Sequence, residues 1–204
     1  NIVDKFTGVW NTSNGYVSHS FNQFIQVDNG TLLGVDHGEG YPTALVLSKY
    51  VSDISSGNFQ SGISTPCKSL TFMSLVNDTS IHYNYTGASL GAFEYSDSAY
   101  LIAGTKDTDS TATTRDVFIT SMDKSSGETF THFYSNYAGT DDSALTPHLV
   151  KTGNNSFILL WSNQGYVYYT AVDGTGQQVG TTHKMAGNLS DCAPIVSNGK
   201  VIWY

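Results

Sequence analysis

The chain has 204 residues and a formal net charge of −8, with one Arg and eight Lys. An acidic, nearly Arg-free chain lacks the basic face that nucleic acids and anionic membranes require, so neither is expected as a partner. Charged residues make up 13% and aromatics another 13%, alongside 20 Gly and 48 Ser plus Thr, which points to an all-β protein. The longest unbroken apolar run, Phe157 to Trp161, is far shorter than a membrane-spanning helix, and no membrane insertion is expected.

The chain opens on Asn1 rather than Met and shows no signal peptide, as expected of a processed mature chain or a piece of a longer one. Ile2 to Val17 holds two short apolar runs around a polar Asn-Thr-Ser-Asn-Gly stretch, with no hairpin of its own in front. The first hairpin is NQFIQVDNGTLLGVD, Asn22–Asp36: an apolar strand, an Asp-Asn-Gly turn and a second apolar strand. Asp36, His37 and Glu39 follow among glycines in GVDHGEGYP. Such groups could hold a metal or act as acid and base, but Gly and Asp are also what a tight turn needs. An alternating third strand follows at residues 41–51, then a SDISSG turn and a fourth, more polar segment, KSLTFMSLV.

The same order recurs. GAFEYSDSAYLIAG (Gly91–Gly104) is a second hairpin, RDVFITSMD (Arg115–Asp123) a third strand, DKSSGE a turn and TFTHFYSN a fourth strand. Between them Asp107-Thr-Asp109 opens as a calcium loop does, but Ala112 and Phe118 stand where an EF-hand needs Gly and Glu. An irregular calcium site of Asp107, Asp109 and Asp116 is the alternative to a solvated loop. The third hairpin is PHLVKTGNNSFILLWS (Pro147–Ser162), followed by GYVYYTAVD, DGTGQ and VGTTHKM. The fourth, APIVSNGKVIWY (Ala193–Tyr204), has only its first two strands.

Four-stranded antiparallel units repeated along a chain resemble the blades of a β-propeller. The resemblance is architectural and names no family within the propellers: there is no Trp-Asp pattern, no kelch double glycine and no sialidase box. It implies one all-β domain over residues 1–204, with blades at 18–88, 89–144, 145–189 and 190–204, the last completed by residues 1–17. A β-sandwich would explain the strands but not the repeat. In a propeller the loops before the innermost strands surround the channel mouth, where Asp36, Asp142, His148 and Asp191 would converge with His37 and Glu39.

Six N-x-S/T sequons, at Asn11, Asn29, Asn77, Asn84, Asn154 and Asn188, and a pair of cysteines suited to a Cys67–Cys192 disulfide point to a secreted or cell-surface glycoprotein. The aromatics Tyr83, Tyr85, Tyr134, Tyr137, Tyr166, Tyr168 and Tyr169 could stack on sugar rings, though in Tyr166-Val-Tyr168-Tyr169 alternate residues must face opposite sides and one side is expected in the core. No G-x-S-x-G elbow, HExxH, P-loop or dinucleotide fingerprint is present, and no residue is assigned as catalytic. The expectation is a structural, adhesion or assembly module, a coat or filament subunit, with N-linked glycans, further copies of itself or other domains of a longer chain as partners. No cofactor is expected other than calcium at the irregular site. A lectin or glycan-active hydrolase with its site at the channel mouth is the alternative.

Overall fold

The structure, a computed structural model, describes residues 21–38, 44–50, 67–74, 88–107 and 114–204. The chain divides into two compact units, Asn1–Thr86 and Gly87–Tyr204. All regular structure among the described residues is antiparallel β.

In the first unit, β1 (Phe21–Asp28), β2 (Thr31–Gly38), β3 (Ala44–Tyr50) and β4 (Cys67–Ser74) form one sheet in that order. The β1–β2 turn is the predicted Asn29-Gly30, with φ of 49° and 77°. Two successive positive φ values give the primed turn whose twist matches a hairpin, and Asn and Gly are the residues that adopt it cheaply. Leu33, Val35, Leu45 and Leu47 are buried on one face. On the opposite face of β1, Ile25 is 61% and Val27 47% exposed.

The second unit holds two such sheets and a hairpin. β5 (Ala88–Tyr95), β6 (Ala99–Asp107), β7 (Arg115–Asp123) and β8 (Thr129–Phe133) form one sheet. β9 (Leu145–Gly153), β10 (Ser156–Asn163), β11 (Tyr166–Asp173) and β12 (Gln178–Ala186) form the next, again in chain order. β13 (Ile195–Ser197) and β14 (Lys200–Ile202) pair as a two-stranded sheet around Asn198-Gly199, another positive-φ turn. The predicted third strands at 41–51, 115–123 and 165–173 are β3, β7 and β11.

Packing explains the apolar character of the second strands. Leu101 and Ala103 of β6, with Val117 and Ile119 of β7, pack against Leu149, Phe157, Leu159, Trp161 and Val172 of the following sheet. The sheet's other face is buried as well, with Phe93, Tyr100, Ile102, Phe118 and Met122. A strand buried on both faces reads as a continuous apolar run rather than an alternating one. The β9–β12 sheet is likewise covered twice: Val150, Leu160 and Val167 on its second face meet Leu189, Val201 and Trp203. By contrast, the last strand, β12, is exposed along nearly its whole length.

The first strands lie side by side. β5 adjoins β9, and β9 adjoins β13. At Gly91 a Cβ atom would stand 1.8 Å from the Pro147 carbonyl oxygen, so this approach of two backbones requires glycine. Each four-stranded sheet carries a bulge in its first strand, between Phe21 and Phe24, between Leu90 and Ala92, and opposite Leu160–Ser162 in β9. Bulges increase local twist. In β9 the bulge holds Thr146 at φ 48°, an uncommon conformation for a β-branched residue.

Candidate functional site

The residues expected at a channel mouth divide between the two units. Asp36 and His37 lie near the end of β2; their side chains, and Glu39, fall outside the described residues. In the second unit His148, on β9, is buried, and its Nε2–H donates to the Ser190 carbonyl at 2.9 Å. This bond ties the segment leading into the terminal hairpin to β9 and brings His148 beside the Ser190–Asp191 stretch. The Ser190 amide in turn donates to the Tyr204 carbonyl at 2.8 Å, so one residue joins β9 to the end of the hairpin. Asp191 itself is exposed. Asp142 points elsewhere and accepts from the Gln164 side-chain amide in the β10–β11 turn.

The acidic loop residues have separate engagements. Asp107 and Arg115 face each other across β6 and β7, with the guanidinium Nε donating to the carboxylate at 3.0 Å. Asp116 is buried and accepts from the Ser135 hydroxyl and the Tyr137 amide, both at 2.7 Å. It therefore fixes the loop that leaves β8. Asp109 lies outside the described residues. Among the described residues no group of three or more His, Cys, Asp or Glu stands together.

Around that loop an aromatic cluster forms that no local sequence pattern announces, because its members come from successive repeats. Trp161 Nε1–H donates to the Tyr137 hydroxyl at 3.2 Å. The Tyr168 ring stacks on Trp161 at 5.5 Å and 14°. Burial raises the Tyr137 phenol above its ordinary range, opposed by hydrogen bonds with Trp161 and Asn163. Lys184, paired across the strands with Tyr168, holds its ammonium 4.7 Å from the Tyr166 ring. The expected alternation is present: Tyr168 packs toward the preceding sheet and Tyr169 toward the terminal hairpin. Tyr134 is raised by burial and by the nearby negative charge of Asp173, and its hydroxyl donates to the Gly176 carbonyl, linking two sheets. Tyr166 is 42% exposed. Tyr83 and Tyr85 lie outside the described residues.

Polar turns also join the sheets. Asn155 Nδ2 donates to the Asp97 carboxylate at 2.7 Å, and the Asp97 amide donates back to Asn155 Oδ1 at 3.1 Å. These residues occupy equivalent turns of successive repeats. Asp123 and Asp173, also equivalent, each fold a third turn around one carboxylate oxygen. Asp123 Oδ1 accepts from the amides of Ser125 at 2.8 Å and Ser126 at 2.7 Å. Asp173 Oδ1 accepts from the amides of Thr175 at 2.8 Å and Gln177 at 3.0 Å.

Of the sequons, Asn29, Asn154 and Asn188 are exposed, the first two in hairpin turns. Asn11, Asn77 and Asn84 lie outside the described residues. Cys192 carries an exposed free thiol. Cys67 begins β4 in the other unit, and its side chain is outside the described set. Comparison with protein-family models, with curated proteins and with solved structures gives no match.

Proposed function

We propose that the chain is a β-propeller-type repeat module that works outside the cell as a glycosylated structural, adhesion or assembly unit. The observation that carries the reading is the repeated way in which sheets are added. Trp161 of the third repeat is buried against the preceding sheet, and Trp203 of the fourth packs on its own preceding sheet. First strands adjoin with almost no space between backbones, whereas the last strand of the third repeat is exposed. A propeller has this gradient from axis to rim; stacked sheets of a sandwich meet across their width. Asp107, Asp116 and His148 each serve a bond that holds strands or loops.

The extracellular part of the proposal is supported by exposed sequons in tight turns, where a glycan projects into water. Its test is the intact mass of the full chain made in a eukaryotic secretory host, before and after enzymatic removal of N-glycans. A mass loss that shrinks in stages with Asn29→Gln, Asn154→Gln and Asn188→Gln is the expected result; the mass of the bare chain would contradict it.

A second reading, a lectin or glycan-active hydrolase, is favoured by exposed Tyr166 with the Lys184 ammonium over its ring. It requires saccharide binding detectable by calorimetry and abolished by Tyr166→Ala.

A further inference from the structure

The β9–β12 sheet carries a patch of aromatic rings and one cation that its fold does not require. Residues paired directly across antiparallel strands point to the same face. Trp161, Tyr168 and Lys184 are aligned in this way, and beside them Asn163, Tyr166 and Ala186. Alternation along each strand puts both rows on one face, the face by which Trp161 and Tyr168 meet the preceding sheet. The rows open outward from β10 to β12. Trp161 and Asn163 are buried, Tyr168 is half-buried, and Tyr166, Lys184 and Ala186 are exposed. The Tyr166 and Tyr168 positions stand roughly 7 Å apart along β11. Ala186, opposite Tyr166, is too short to cover its ring.

Asp123 and Asp173 fold equivalent turns, and aligning them sets Asp116 at the place of Tyr166 and Phe118 at the place of Tyr168. Phe133 then matches Lys184, because it pairs with Phe118. In that sheet the position is closed. Asp116 is buried and accepts from the Ser135 hydroxyl and the Tyr137 amide, and Phe133 meets the Phe118 ring edge-on at 6.1 Å. The repeat thus accepts a sealed polar contact where the third sheet has an open tyrosine, and a ring where it has an ammonium. Lys184 also lacks the partner that an acidic chain makes easy to find. The chain has 17 acidic residues against nine Lys and Arg, yet among the described residues no carboxylate pairs with Lys184. Its ammonium lies 4.7 Å from the Tyr166 ring centre and 6.0 Å from that of Tyr168.

We propose that Tyr166, Tyr168 and Lys184 form a binding site for an acidic saccharide, with the sugar's apolar face on the Tyr166 ring and its carboxylate on the Lys184 ammonium. The base of the site is rigid: Tyr137 holds the Trp161 indole, and Trp161 stacks on Tyr168 at 14°. The exposed Tyr166 ring offers the flat apolar surface, and Lys184 brings three donors on a flexible stem. An exposed cation–π contact is weak, whereas a charge-assisted bond to a carboxylate is among the strong ones, so the ammonium turns from ring to ligand. The net charge of −8 repels an anion at long range, but salt screens exposed charges beyond about 8 Å and leaves the local ammonium to decide. This rests on the saccharide-binding reading above and names its class of sugar.

The experiment is titration calorimetry of the full chain with two matched pairs of probes. One pair is trigalacturonate and its fully methyl-esterified form; the other is 3′-sialyllactose and lactose. In one pair or both, the carboxylate form is expected to bind about tenfold more tightly, the scale of one net hydrogen bond to a charged group. The pair that shows the difference tells uronate from sialate. Lys184→Gln removes the difference and leaves the neutral sugar's affinity unchanged, whereas Tyr166→Ala abolishes binding of both forms. Both positions are exposed, so the variants should keep the parent's thermal midpoint. Equal affinity within both pairs, or a difference that survives Lys184→Gln, would overturn this inference while leaving the saccharide reading intact. A parent that binds none of the four probes would overturn both.

Discussion

Gly91 shows how a single hydrogen atom in place of a side chain positions two sheets. The added Cβ of Gly91→Ala would meet a backbone carbonyl, which cannot swing away as a flexible side chain does. Overpacking of this kind costs ~1–3 kcal/mol, and the contact with backbone places Gly91→Ala toward the upper end, read as a lower midpoint of thermal unfolding. Gly127 is the contrasting position: it has φ 75° and open space around it. Gly127→Asn, a residue that tolerates that conformation, should change stability little. Equal losses at both sites would contradict the close approach of β5 and β9.

Asp123 is held at about 2, below its ordinary 3.8, first by the Ser125 hydroxyl and then by the Ser126 and Ser125 amides. Asp173 is also lowered: burial pushes it up, but hydrogen bonds from Gln177, Thr175 and Gly176 prevail. A depressed carboxylate contributes stability that is present above the unfolded value and lost as pH falls through the folded one. The β7–β8 turn should therefore hold at pH 4 and loosen toward pH 2. Carboxyl NMR should place the Asp123 midpoint near 2, rising in Ser125→Ala; a midpoint near 3.8 would remove the argument.

At the scale of elements, the terminal hairpin is the sharpest case. A two-stranded sheet is marginal in water by itself, and β13–β14 is held by Val201 and Trp203 on the preceding sheet and by the His148–Ser190–Tyr204 chain of hydrogen bonds. Truncating a buried Trp costs ~3–5 kcal/mol; Trp203 is partly buried, so Trp203→Ala should cost less, about 2–4. Amide exchange should accelerate in β13 and β14 while β9 to β11 stay protected. Unchanged exchange would show that the hairpin does not depend on this contact.

Much of the element order was legible because it is written locally. Asn29-Gly30 and Asn198-Gly199 sit in the positive-φ turns their sequences announce, and the order of strand, turn and third-strand segment marks each sheet. The contacts between repeats were not legible in the same way. Asn155 reads as an ordinary turn residue until Asp97 is brought to it from 58 positions away. Tyr137 reads as one loop tyrosine among several until Trp161 and Tyr168 surround it. Gly91 did carry a signal, since glycine inside a strand often marks a close backbone approach, but nothing local says which backbone comes near. His148 is bonded to the Ser190 carbonyl, next in sequence to Asp191, while Asp142, in the β8–β9 loop, is engaged by Gln164 of the β10–β11 turn.

At the scale of the molecule, the second unit is an array built in chain order: sheet, sheet, hairpin. Such architecture makes stability a sum of repeat and interface terms and leaves end faces that differ from internal ones. The exposed Ile195 and Ile202 lie at the end of that unit's array. A net charge of −8 with few Lys and Arg opposes non-specific association of copies. On the proposed reading this module acts by assembling. Sedimentation velocity of the full, glycosylated chain from low to high micromolar concentration tests it most directly: the account expects a sedimentation coefficient that rises with concentration, and a single monomeric boundary throughout would contradict it.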